Sequence, residues 1–159
     1  MKENKIMIRE MKIKYTVREA KPEEVDAEYL KKITSSDDTV KTFLDITDSG
    51  IELFSVVYLD SRNRIILKQI IEKGTVNQAS PILREIFKIA IACDACSIIC
   101  GHNHPSGDPT PSNEDKEFTK ELVKAGEILH IKVLDHIIIS RDLETDRTSY
   151  YSFADKGGM

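Results

Sequence analysis

Ala95-Cys96-Ser97-Ile98-Ile99-Cys100 runs without a break into Gly101-His102-Asn103-His104-Pro105-Ser106-Gly107-Asp108-Pro109-Thr110-Pro111-Ser112-Asn113-Glu114-Asp115. The apolar half reads as a fully buried strand, and the polar half as a proline-stiffened loop that opens into a helix. Side chains alternate along a strand, so His102 and His104, one residue apart, point the same way from its frayed end and can grip one ion in solvent. Asp115, beyond the prolines, can swing back with a carboxylate oxygen. Two imidazoles, one carboxylate and an open fourth position match a hydrolytic metal centre. A structural centre would be closed and rich in thiolates. Such an ion acidifies bound water and polarises a carbonyl, and the chemistry then needs a proton acceptor nearby.

The acceptor has three candidates. Glu52 opens the strand pattern Glu52-Leu53-Phe54-Ser55-Val56-Val57-Tyr58-Leu59, where a carboxylate can overhang the sheet end. Glu72 sits near a Lys-Gly turn, and Glu85 falls on a helix beside Arg84 and Lys88, where pairing in solvent is its default. Spacing alone leaves the choice open. Ser112-Asn113-Glu114-Asp115 is also a capping-box-like helix start, so Ser112 and Asp115 have a structural reading beside any chemical one. Cys93, Cys96 and Cys100 lie in an apolar helix-to-strand passage and read as small buried residues; no fourth cysteine completes a thiolate site. His136 could be a supporting partner of the metal site but reads first as a satisfied strand histidine, and His130 has no supporting neighbours.

Outward from this stretch, Ser80-Pro81 begins a helix through about Cys93 with Ile82, Ile86, Ile89, Ala90 and Cys93 at core spacing. A second helix runs from Ser112 to about Leu129 with Phe118, Leu122, Ala125 and Leu129 inward. Strands around Lys132 to Ile139 and Ser149 to Phe153 close the sheet. Upstream, Asp60-Ser61-Arg62-Asn63 turns the Glu52 strand into a hairpin with Arg64 to Ile71. Asp37 or Asp38 can cap a helix with Val40, Phe43, Leu44 and Thr47 on one face, and Ser49-Gly50 stops it. Ile6 to Val17 alternates like strand, and Pro22-Glu23 opens a short helical segment. The expected organisation is an N-terminal extension over 1–36, one α/β domain over 37–155 and a loose tail over 156–159, with a mixed twisted sheet flanked by helices and the metal at the sheet edge.

With 159 residues and 40% hydrophobic content the chain suits one core. No apolar run is long enough to span a bilayer, and three cysteines in one apolar stretch give no disulfide framework; a cytoplasmic protein without a membrane role is expected. The net charge of −4 argues against a surface built to bind nucleic acid. A basic beginning (Lys2, Lys5, Arg9, Lys12, Lys14, Arg18, Lys21) precedes an acidic stretch, which leaves room only for a weak or indirect DNA contact.

The residues Glu52, His102, His104, Ser112 and Asp115 resemble the JAMM (MPN-plus) metalloprotease signature: a glutamate, then His-x-His, seven residues, Ser, two residues, Asp. The longer string His-Asn-His-Pro-Ser-Gly-Asp-Pro-x-Pro-Ser-x-x-Asp is similar to one branch, the RadC family. Leu59-Asp60-Ser61-Arg62-Asn63-Arg64, Gly74-Thr75-Val76-Asn77, Arg84-Glu85-Ile86-Phe87 and Leu134-Asp135-His136-Ile137-Ile138 are similar to that branch as well. The likeness covers roughly residues 37 to 155. Two positions depart from it: Ile82-Leu83 stands where members often have His-Pro, and Gln69 where a glutamate is frequent. Neither belongs to the five-residue signature.

The resemblance implies an MPN (JAB)-like fold. It implies zinc held by His102, His104 and Asp115, with Glu52 as the proton carrier and Ser112 as a donor to the oxyanion. A zinc-dependent hydrolase of peptide or isopeptide bonds follows as the expected function, with a protein or peptide substrate and a partner protein or second copy as possible company. RadC proteins are linked to DNA repair and mobile elements, and longer members carry a DNA-associated helix-hairpin-helix region for which these residues leave no room. Two competing readings stand beside the hydrolase: a non-catalytic MPN-type scaffold in DNA repair or anti-restriction, and a metal-dependent nuclease, for which one zinc and an acidic surface are poor equipment.

Overall fold

The computed structural model describes residues 32–74 and 79–159. The expected strands and helix before residue 32, and the basic beginning, lie outside the described residues. The elements are α1 (Ser36–Thr42), a 3-10 turn (Leu44–Ile46), β1 (Leu53–Leu59), β2 (Ile65–Lys73), α2 (Ala79–Ala92), β3 (Ser97–Asn103), α3 (Asn113–Leu129), β4 (Lys132–Asp142) and β5 (Arg147–Ser152). The five strands form one mixed sheet in the order β2-β1-β3-β4-β5, in which only β3 and β4 are parallel. α3 makes the crossover that a parallel pair requires.

Both faces of the central strands are covered, which explains why β1 and β3 read as nearly continuous apolar runs. Val56, Tyr58, Ile98 and Cys100 face α2 and α3, where Ile82, Ile86, Phe87, Phe118 and Leu122 meet them. Val57, Leu59 and Ile99 face the other way, onto Ile33, Phe43 and Ile46. Phe43 lies directly on the β3 backbone: a Cβ at Gly101 would stand 2.6 Å from its ring. Glycine is therefore the residue that lets the aromatic ring cover the strand one position before His102.

The Asp60–Arg64 hairpin forms as its turn residues imply. Asp60 Oδ1 accepts the main-chain N–H of Arg62 and Arg64, and Asn63 takes a left-handed φ of 58°. Four expectations are corrected. Ser35, not Asp37 or Asp38, caps α1 by accepting the Asp38 N–H, while the Asp38 carboxylate reaches back to Thr34. Leu44 is exposed because the helix tightens into a 3-10 turn and rotates it off the buried face. Leu129 is exposed at the end of α3, and Gly126 is buried against the Ile131 carbonyl instead. Of the cysteines, Cys100 is buried, Cys93 half-buried and Cys96 exposed, because the turn before β3 turns Cys96 outward.

No helix among the described residues is long and apolar enough to cross a membrane.

Candidate metal centre

β3 does not fray at His102. Phe54 of β1 and Ile138 of β4 pair with it on either side, so the strand runs on to Asn103. The expectation of a solvent-facing His102 is thus corrected: its side chain is 1% exposed. His104 lies just past the strand and is held by its N–H donating to the Ile139 carbonyl. The two imidazoles do point the same way, with their Nε2 atoms 3.1 Å apart.

α3 delivers the carboxylate. Ser112 is its N-cap, and a complete capping box joins Ser112 to Asp115. Ser112 Oγ accepts the Asp115 N–H at 3.0 Å and donates to Asp115 Oδ2 at 2.6 Å, and that same oxygen accepts the Ser112 N–H at 2.8 Å. The cap and the metal-site geometry are one structure: the bonds that start the helix also aim Asp115. Asp115 Oδ1 is 3.2 Å from His102 Nε2, and Oδ2 is 3.5 Å from His104 Nε2. Glu52, one residue ahead of β1, places Oε1 3.8 Å from His102 Nε2.

One ligand atom from each of Glu52, His102, His104 and Asp115 lies within 4.8 Å of the others, so the four can hold a metal ion. Donors about 2.0–2.1 Å from a small tetrahedral cation stand roughly 3.3–3.4 Å apart, which the separations among His102, His104 and Asp115 match. The proton positions agree. His104 Nδ1 is 2.9 Å from the Asp108 carbonyl, which can only accept, so Nδ1 carries the N–H and Nε2 keeps a lone pair facing His102. Glu72 and Glu85 are not part of this group; Glu85 pairs with Lys88 and Arg84 in solvent.

The charges follow from this packing. Burial pushes Asp115 up, yet the adjoining His102 and His104 rings and the Ser112 hydroxyl outweigh it and hold the carboxyl well below its ordinary range. The Asp115 carboxylate raises His104 against its burial. Burial raises Glu52, partly offset by the two histidines. His136 is fully buried, and that burial keeps its imidazole neutral.

Three supporting residues escaped the sequence reading in whole or part. Asn103 looks like a mere spacer in His-x-His, yet it is fully buried and makes three hydrogen bonds to the segment around Glu52. Its only signal was an amide in a strand closed in on both faces. Thr119 sits on the buried face of α3 at 2.7 Å from His136 Nδ1, and His136 Nε2 is 2.9 Å from His102 Nδ1. His136 is thus a buried strand histidine with both ring nitrogens satisfied, one of them by His102. Ser106 and Asp108 build the turn that follows His104 and, with Arg141, Asp142, Leu143 and Glu144, line an open cleft. His130 ends α3 in the left-handed conformation.

A mixed sheet whose central strands are covered on both faces, with two histidines and an aspartate gathered where β1, β3 and α3 meet into a group that could hold a metal ion, is the arrangement of a JAB-type domain. Residues 33–158 match the family model of the RadC-like JAB domain, and the chain belongs to that family. It is similar to a UPF0758 protein of Caldanaerobacter subterraneus subsp. tengcongensis, 47% identical over 124 residues, or 76% of this chain and 53% of the relative. A UPF0758 protein of Histophilus somni is 40% identical over 125 residues (77% and 54%), and one of Finegoldia magna 52% over 96 residues (60% and 43%). The chain spans about half the length of these relatives.

Proposed function

We propose that the protein is a zinc-dependent hydrolase that cleaves a peptide or isopeptide bond. The observation that carries this reading is the pair of imidazole nitrogens facing each other 3.1 Å apart beside the Asp115 carboxylate, with Glu52 over the remaining side. Two lone pairs at that distance repel unless a cation or a proton lies between them. Zinc held by His102, His104 and Asp115 would supply an acidified water and a polarised carbonyl.

The chain's own residues then divide the work. Glu52 takes the proton of the attacking water and passes it to the leaving amine, a task suited to a half-buried carboxylate at the mouth of the site. Ser112, fixed by the capping box, shifts its hydroxyl proton from Asp115 Oδ2 to the developing oxyanion. Phe54 stacks on the His102 ring with centroids 5.9 Å apart and packs edge-on to Phe118, which keeps water from the rear of the site. The choice of an amide bond rests on the likeness to the JAMM group, since the same ligands serve other hydrolyses. A setting connected with DNA repair or mobile elements rests on the likeness to the RadC family, and a cytoplasmic one on the cysteine pattern and short apolar runs of the sequence.

The test is zinc content followed by substrate screening. Wild type should hold about one zinc per chain and His104→Ala none. Glu52→Gln should keep the zinc and lose cleavage of whichever peptide or isopeptide the wild type cuts. Wild type without zinc, and unable to take it up on dialysis, would overturn the hydrolase. A Glu52→Gln variant that works unchanged in cells would leave the scaffold reading in its place.

A further inference from the structure

A chain of hydrogen bonds leaves the metal group at His102 and returns to it at Asp115. Thr119 Oγ1 lies 2.6 Å from the Asp115 carbonyl oxygen and 2.7 Å from His136 Nδ1. A carbonyl only accepts, and a hydroxyl has one proton to give. Two oxygens 2.6 Å apart require that proton between them, so Thr119 donates to Asp115 and has only a lone pair to offer His136. His136 Nδ1 therefore carries the N–H. In the neutral imidazole Nε2 is then an acceptor, and it faces His102 Nδ1 at 2.9 Å. His102 must supply the proton of that bond. Its Nδ1 is thus the protonated nitrogen, and its Nε2, the atom turned toward His104 and Asp115, is left with the lone pair.

Packing does not account for these two polar residues. Phe153 stacks on the His136 ring with centroids 5.1 Å apart and planes within 8°, and Phe54 and Phe118 close over it. An apolar side chain would fill this aromatic pocket without the cost of burying two ring nitrogens. Only the contacts to Thr119 and His102 call for an imidazole, and neither partner is a carboxylate.

We propose that Thr119 and His136 are positioning residues that lock His102 in its Nδ1–H tautomer and so present Nε2 as a metal ligand. This rests on the metal reading above. Control of the tautomer passes through the chain in one direction, from the Asp115 carbonyl to Thr119, His136 and His102. Thr119→Val is nearly isosteric but takes away the acceptor for His136 Nδ1–H. His136 then gains by moving its proton to Nε2, which forces the His102 proton onto the metal-facing nitrogen.

The experiment reads tautomers and zinc affinity separately in the 159-residue chain. Long-range proton–nitrogen NMR of the metal-free protein should show Nδ1–H on both His102 and His136 in wild type and in Thr119→Ser, and Nε2–H on both in Thr119→Val. Zinc affinity, measured against a competing chelator at one fixed pH, should fall about 10–100-fold in Thr119→Val and His136→Phe and stay within about 3-fold of wild type in Thr119→Ser. Far-ultraviolet circular dichroism checks that each variant is folded. Wild-type His102 protonated at Nε2, or zinc bound as tightly by Thr119→Val as by wild type, would overturn the relay. Failure of the wild type itself to bind zinc would instead overturn the metal reading, and the relay's role with it, while leaving the measured tautomers to stand.

Discussion

The Asn103 side chain accepts the Leu53 main-chain N–H at 2.7 Å and so ties the strand of the two histidines to the residue that follows Glu52. Its amide nitrogen donates to the carbonyls of Ser49 and Ile51, each at 3.1 Å, which fixes the chain on the other side of Glu52. The spacer between the histidines thereby sets the distance from the proposed metal ligands to the proposed proton carrier.

Asn103→Ala should separate these functions. The metal ligands are untouched, so about one zinc per chain should remain, while Glu52 loses its clasp and cleavage falls by about 10²-fold. Stability should drop as well, by roughly 1–3 kcal/mol for each buried main-chain group left unpaired. Metal analysis, denaturant unfolding and the cleavage assay check the three outcomes. Loss of zinc in this variant would show that the strap holds the ligands themselves.

Much of this site was legible because its parts are short-range. Strand alternation aligns His102 with His104, and helix capping brings Ser112 to Asp115, both within a few residues. What stayed hidden depends on non-local pairing. Whether β3 frays at His102 is decided by β1 and β4, which the local sequence of β3 does not contain. Glu52 could be separated from Glu72 and Glu85 only through family resemblance, since fifty residues of intervening chain fix no distance. The fold was legible in its order of elements and less so at its edges. Leu44 and Leu129 fit the apolar spacing, but a 3-10 turn and a helix end rotate them into solvent.

Ser112 carries two roles that substitutions can divide. At an N-cap, Ser→Gly costs only a few tenths of a kcal/mol whereas Ser→Ala costs about 1 kcal/mol. Ser112→Gly should therefore unfold close to wild type, and Ser112→Ala should be measurably weaker in urea. Both lack the hydroxyl, so both should lose about 10²-fold in cleavage if it serves the oxyanion. Cleavage that follows stability, intact in Gly and reduced in Ala, would reduce Ser112 to a cap.

Asp135 offers a pH prediction free of the metal. Its carboxylate accepts hydrogen bonds from Ser152 Oγ at 2.7 Å, from the Ala154 N–H at 3.0 Å and from the His136 N–H at 2.7 Å. Burial nevertheless raises it above the ordinary carboxylate value. The folded state then binds a proton more tightly than the unfolded chain. Between the unfolded value near 3.8 and the higher folded value, this group's contribution to stability falls as pH rises. Asp135→Asn keeps an acceptor for the two main-chain N–H groups and can donate to Ser152. It should unfold at neutral pH no more easily than wild type, and this component of the pH slope should vanish. Urea unfolding from pH 4 to 7 measures both; an unchanged slope would mean the carboxylate is ionised at ordinary acidity.

Zinc should stabilise the fold because its proposed ligands lie at the end of β3, just past it and on α3, which unfolding separates. An ion that binds only the folded chain adds about 2.7 kcal/mol at a free concentration 100 times its dissociation constant. For a chain of 159 residues that corresponds to a rise in melting temperature of roughly 5–10 °C. Chelation should remove the increment and added zinc restore it. His102→Ala should melt at one temperature with or without zinc, since the remaining donors are His104 and two carboxylates. Thermal unfolding at matched zinc and chelator concentrations makes the comparison. A zinc-dependent rise that persists in His102→Ala would place the stabilising ion away from this group of residues.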